Sequence, residues 1–152
     1  MEKQAQRVEI YVDGALVYAT REPVQTFSET PIRDAGDAVP YFEAIRTMPQ
    51  EVFAVMSLDG ANHPIRTRWV TVGLLDTNQV HPREVFADPI SDRAASILVA
   101  HNHPSGTLEA SPEDVALTQR LAKCGELLGI RILDHLIVTA SGFLSLRQRG
   151  AF

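Results

Sequence analysis

Cysteine is nearly absent. Cys124 stands alone among 152 residues, which excludes an intrachain disulfide and fits a reducing compartment, so a cytoplasmic setting is expected. No apolar run reaches the ~18 residues that a membrane span requires, and no membrane partner is expected. The opening Met-Glu-Lys-Gln-Ala-Gln-Arg lacks the basic-then-apolar order of a secretory signal. Positive charge is scarce as well: 14 Lys and Arg face 19 Asp and Glu, for a net charge of -5. General attraction to phosphate backbones normally shows as a basic face or stripe, so nucleic acid is the less favoured partner. Neither an internal repeat nor a low-complexity tract is visible.

What remains is ordinary soluble composition, 45% apolar and 22% charged, in a chain of a size that suits one hydrophobic core. Residues 7–19 alternate around Asp13-Gly14, a dipeptide suited to a tight turn, and predict a β-hairpin. Residues 21–33 carry Pro23 and Pro31 among Ser, Thr and Glu and predict a connecting loop. From Asp37, the spacing of Val39, Phe42, Ile45 and Met48 predicts an amphipathic helix that ends before Pro49. Glu51–Leu58 is apolar on both alternate faces and predicts a strand covered on both sides. After the turn residues Asp59–Asn62, the Thr- and Val-rich stretch 65–75 predicts its antiparallel partner.

Pro82 suits the start of a helix over 82–94, which Pro89 should kink or divide. The apolar run Ala95–Ala100 predicts a buried strand that stops abruptly in a loop at residues 101–106. Leu117, Leu121, Cys124 and Leu128 mark the apolar stripe of a helix with Gly129 at its C-terminal cap. Cys124 on that stripe is expected to be an inert buried thiol. Residues 130–139 then alternate as a strand, and Ser141-Gly142 turns the chain into a last short strand. Strands and helices mixed on one core give an α/β or α+β class.

The chemistry concentrates where the buried strand ends. On extended backbone, residues two apart project to one side, so His101 and His103 face a common point while Asn102 turns away. Ser111-Pro112-Glu113-Asp114 opens the next helix, and Asp114 stands three and seven residues before Leu117 and Leu121, in line with the buried stripe. A bare carboxylate there is costly, and a divalent cation removes that cost. Two imidazoles and a carboxylate are ligands that zinc accepts, with a fourth position left for water. Glu51, at the head of a buried strand and on the face of Phe53 and Val55, suits a general base. Ser111 suits a hydrogen-bond donor to an oxyanion.

Plainer readings compete. Ser-x-x-Asp with Pro at the first helical position imitates a capping box, and an isolated His-x-His pair is commonly structural. Glu51 could be a strand-edge carboxylate, with Glu43 and Glu84 as rival bases. Asp134-His135 could orient a ligand, but a His on an alternating strand is more often structural or at the surface, so the pair is left outside the site. His63 and His81 sit in turn-like segments and are expected to be solvated.

His101-Asn102-His103, seven residues, then Ser111-Pro112-Glu113-Asp114, preceded by a distant Glu, resembles the signature of the JAMM or MPN+ metalloproteases. His-Asn-His-Pro-Ser-Gly at 101–106, Leu-Leu-Gly-Ile at 127–130, Leu-Asp-His-Leu-Ile-Val at 133–138 and Pro-Arg-Glu-Val at 82–85 resemble the bacterial RadC-like proteins in particular. The resemblance covers roughly residues 45–150. It implies a single JAB/MPN domain over residues 36–152, with a curved, mostly antiparallel central sheet flanked by helices, of cytidine-deaminase-like type. It also implies one Zn2+ held by His101, His103 and Asp114, with Glu51 as base. Residues 1–35 form a hairpin-and-loop extension, where longer RadC-like proteins carry a helix-hairpin-helix region associated with DNA.

The expected function is therefore a zinc metallopeptidase or isopeptidase acting on a peptide or protein substrate. A RadC-like, DNA-repair-associated or partner-binding module with a structural metal is the alternative. Hydrolysis of a non-peptide bond is a third reading, since an activated water does not itself choose its electrophile.

Overall fold

The computed structural model describes residues 6–12, 15–22, 30–73 and 80–152, the first two stretches by backbone alone. Strands β1 (Gln6–Val12) and β2 (Ala15–Glu22) pair antiparallel with Val12 opposite Ala15. The expected turn at Asp13-Gly14 lies outside the described residues, as do 23–29 of the expected loop, and β2 runs two residues, Arg21 and Glu22, into that loop.

The single helix expected from Asp37 is instead three short pieces. Helix α1 (Ala35–Ala38), a tighter 3-10 turn (Val39–Phe42) and helix α2 (Glu43–Arg46) follow one another directly. Asp34 caps the first piece, its carboxylate accepting the Asp37 N–H at 3.1 Å. Pro40 explains the break, because it has no N–H to return to the preceding turn. The apolar spacing still works: Val39, Phe42 and Ile45 are all buried.

Five strands form the main sheet in the order β4-β3-β5-β6-β7. They are β3 (Val52–Leu58), β4 (Pro64–Val72), β5 (Ser96–Asn102), β6 (Arg131–Thr139) and β7 (Gly142–Ser145). All neighbours are antiparallel except β5 and β6, which run parallel. That pair needs a crossover, supplied by helix α4 (Pro112–Leu128). The mixed class and mostly antiparallel sheet are as expected.

Alternation on the strands divides the core into two layers. Val52, Ala54, Met56 and Leu58 of β3, with Leu98 and Ala100 of β5, pack with Val39, Phe42 and Ile45. Phe53 and Val55, with Ile97 and Val99, pack on the other side with Val85 and Phe86 of helix α3 (Pro82–Ser91) and Leu117 and Leu121 of α4. Two-sided cover explains why β3 and β5 read as unbroken apolar runs.

Three details correct the sequence reading. Strand β5 continues through His101 and Asn102, which pair with Ile137 and Val138 of β6. Pro89 does not divide α3, which continues to Ser91. On α4 the buried positions are Leu117, Thr118, Leu121 and Gly125, while Leu128 is 48% exposed and Cys124 is half-buried. The stripe moves to Gly125 because the helix meets the start of β6 there, with the Ile130 N–H bonded to the Gly125 carbonyl at 2.9 Å. Among the described residues no helix is long and apolar enough to cross a membrane.

Candidate metal centre

The strand alternation that buries Ile97 and Val99 against α4 carries His101 to the same face, where it is 1% exposed. The next residue on that face, His103, lies just past the end of β5. Its imidazole is anchored by the turn that follows. Gly106 adopts φ 82° and its N–H bonds the His103 carbonyl at 2.9 Å, a backbone conformation that suits glycine. The turn brings the Thr107 carbonyl to 2.8 Å from His103 Nδ1. A carbonyl can only accept, so Nδ1 carries a proton, and the neutral ring would offer its Nε2 lone pair to a ligand.

Ser111 is the N-cap of α4. Its hydroxyl accepts the Asp114 N–H at 3.1 Å, and Asp114 Oδ2 accepts the Ser111 N–H at 2.8 Å. The capping box is therefore present, and the same carboxylate also faces the two imidazoles. Asp114 Oδ1 lies 3.2 Å from His101 Nε2, and Oδ2 lies 3.6 Å from His103 Nε2. The two Nε2 atoms are 3.0 Å apart. Ligand atoms 2.0–2.1 Å from a tetrahedral zinc stand roughly 3.3 Å from one another. The two Nε2 atoms and the nearer carboxylate oxygen of each pair lie close to that value, and one ligand atom from each of His101, His103 and Asp114 falls within 4.8 Å of the others, so the three form a triad able to hold a metal ion. His103 and Asp114 keep 14% and 15% side-chain exposure, which opens the cluster to solvent.

The electrostatics reflect this crowding. Burial works to raise the Asp114 pKa, but hydrogen bonds to His101 and His103, the charge of His101 and the Ser111 N–H together hold it far below the usual carboxylate range. His103 is raised, chiefly by its hydrogen bond to Asp114, against desolvation and with help from the Thr107 carbonyl and the Glu51 charge.

Glu51 immediately precedes β3, and its carbonyl accepts the Gly73 N–H at 2.9 Å. Phe53 pairs with His101, so the same register continued by two residues sets Glu51 opposite His103. Asn102 turns to the other face, as expected, and serves this segment. Its Oδ1 accepts the Val52 N–H at 2.6 Å, and its Nδ2 donates to the Gln50 and Met48 carbonyls at 3.0 and 3.2 Å. The backbone is thus fastened on both sides of Glu51. The rivals stand elsewhere: Glu43 pairs with Arg46 on α2, in the opposite layer, and Glu84 is exposed beside Arg83. His63 lies 3.2 Å from Asp59, away from the cluster.

His135, left outside the site on sequence grounds, and Thr118, which no motif singles out, both belong beside it. His135 is not at the surface but fully buried, with Nε2 2.8 Å from His101 Nδ1 and Nδ1 2.6 Å from Thr118 Oγ1. Desolvation, with the charge of His101 also opposing protonation, pushes its pKa well below the ordinary imidazole value. The available signal was positional. His135 follows the parallel crossover, on a strand adjacent to His101.

Comparison with known proteins agrees with this architecture. Residues 32–151 match the family described as the RadC-like JAB domain. A UPF0758 protein of Methanospirillum hungatei is 54% identical over 101 residues, which cover 66% of this chain and 45% of that protein. A UPF0758 protein of Picosynechococcus is 50% identical over 102 residues, 67% of this chain and 42% of the relative. One from Moorella thermoacetica is 42% identical over 137 residues, 90% and 60% respectively. The chain spans about half the length of the curated relatives it matches. With the match running from the helical segment before β3 to the turn after β7, the chain belongs to the RadC-like JAB domain family.

Proposed function

We propose that this domain is a metal-dependent hydrolase, specifically a zinc metallopeptidase or isopeptidase acting on a peptide or protein substrate. The observation that carries the reading is the convergence of two imidazole Nε2 atoms, 3.0 Å apart, on the Asp114 carboxylate, whose oxygens lie 3.2 Å (Oδ1) from one and 3.6 Å (Oδ2) from the other, supplied by a strand end and a helix start. His101, His103 and Asp114 would hold the ion. When bound, zinc would polarise water and a carbonyl oxygen and lower the pKa of the water to about 7.

The remaining work falls to side chains of this chain. Glu51, opposite His103, accepts a proton from the attacking water and returns it to the leaving amine. Ser111 accepts the Asp114 N–H through a lone pair, so its own proton stays available to an oxyanion. Phe53 lies against both His101 and His135 and keeps the inner side of the cluster dry. Residues 1–35 are assigned as an extension outside this machinery.

The test combines metal analysis with turnover. Purified protein should contain zinc, and His103→Ala should retain far less of it, since fewer protein ligands bind more weakly. Glu51→Gln should keep the zinc yet lose about 10²–10⁴-fold in hydrolysis rate, the usual worth of a general base. Zinc-loaded protein that cleaves no peptide or isopeptide across a broad panel, with Glu51→Gln preserving its cellular role, would remove the proteolytic reading.

A further inference from the structure

Beneath the ligand triad runs a chain of three hydrogen bonds whose proton directions are set from one end. It begins at the backbone carbonyl of Asp114, which lies 2.6 Å from Thr118 Oγ1. Two oxygens at that distance need a proton between them, and a carbonyl has none, so the hydroxyl donates. Its single proton is then committed. Towards His135 Nδ1, also at 2.6 Å, Thr118 Oγ1 can only accept, which puts a proton on Nδ1.

The His135 ring is 0% exposed and meets a hydroxyl and another imidazole rather than a carboxylate. A cation is disfavoured in such a place, so the ring is neutral and its Nε2 carries a lone pair. That atom lies 2.8 Å from His101 Nδ1, which must therefore donate. A neutral His101 with its proton on Nδ1 keeps a lone pair on Nε2, the atom that faces His103 and Asp114. Free neutral histidine prefers the opposite tautomer, with the proton on Nε2, which would block a ligand bond.

We infer that Thr118 and His135 are positioning residues that set the tautomer of His101 and so present its Nε2 to a metal. The inference rests on reading His101, His103 and Asp114 as ligands. The anchor of the chain is the carbonyl of Asp114, whose carboxylate belongs to the triad, so one residue supplies a ligand and also orients another. Phe53 seals the path, stacked on His101 at 6.3 Å between ring centroids and edge-on to His135 at 5.5 Å. His103 reaches the same tautomer by a separate route through the Thr107 carbonyl. The two imidazoles are thus prepared independently, one from solvent-exposed loop backbone and one from the core.

The experiment is nitrogen-resolved NMR of histidine-labelled, metal-free protein, followed by zinc titration against a competing chelator. In the wild type, His135 should carry its proton on Nδ1 and none on Nε2, with a scalar coupling across the hydrogen bond between His135 Nε2 and His101 Nδ1. Thr118→Val should weaken zinc binding by about 10–100-fold, the usual effect of losing a partner that orients a ligand. Thr118→Ser, which restores the hydroxyl, should recover most of it. A proton on His135 Nε2 in the wild type overturns the inference without need of any variant. So does a folded Thr118→Val that binds zinc as tightly as the wild type. Wild-type protein that shows the expected tautomers but binds no zinc would instead refute the metal-site reading, so the two failures are distinct.

Discussion

Asp114 illustrates how one side chain serves the fold and the site together. Its carboxylate closes the capping box with Ser111 and faces both imidazoles. Asp114→Asn separates these duties, because an amide oxygen can still accept the Ser111 N–H while the charged ligand is gone. Zinc affinity should fall by more than the roughly 10–100-fold that an orienting partner is worth, with α4 retained by circular dichroism. Affinity equal to wild type would remove Asp114 from the ligand set. Asn102 offers the complementary case, a residue that turns away from the triad and holds the backbone on either side of Glu51. Asn102→Ala leaves the buried Val52 N–H without its 2.6 Å acceptor, and such a loss costs about 1–3 kcal/mol. Urea denaturation should show that loss, and hydrolysis should fall further than zinc content because the backbone on either side of Glu51 is released.

At the scale of elements, the junction of α4 with β6 leaves no room for a side chain at Gly125. A Cβ at Gly125 would lie 2.4 Å from the Ile130 carbonyl oxygen. Gly125→Ala should gain about 1 kcal/mol of helix propensity, yet overpacking of a dense core costs about 1–3 kcal/mol, and backbone has little room to yield. The variant should be destabilised in thermal melts; a higher melting temperature would show that the junction relaxes freely. This junction also shows what periodicity can and cannot reveal. Leu117 and Leu121 announce the buried face, but Gly125 has no hydrophobic side chain to signal burial, so apolar spacing points to Leu128, which is 48% exposed. Pro40 was likewise visible as a residue, yet whether it would break a helix or start a new turn depended on packing against the sheet. The triad was legible because its ligands sit in two short segments with fixed spacing. His135 was not, since an alternating strand does not announce which of its faces meets another helix.

For the molecule as a whole, bound metal changes the sign of the alkaline limb of the pH–stability profile. In metal-free protein His135 is held below its ordinary pKa by burial, so the unfolded chain binds the extra proton and stability falls as pH drops below about 6.5. Asp114, depressed despite burial by its imidazole partners, adds a loss of the same sign at lower pH, below about 3.9. His103 is raised by Asp114, so its contribution is complete below about 6.5 and is lost as pH rises through the folded value. Considered by themselves, these three groups favour the metal-free fold most around pH 6.5. Zinc reverses the alkaline limb, because it needs unprotonated imidazoles and competes with their protons. Its stabilisation should grow from pH 6 to 8, carrying the optimum of the loaded protein above about 7. Melting temperatures across that range, with excess chelator and with excess zinc, should diverge steadily; parallel curves would mean that the ion does not displace a proton from His103.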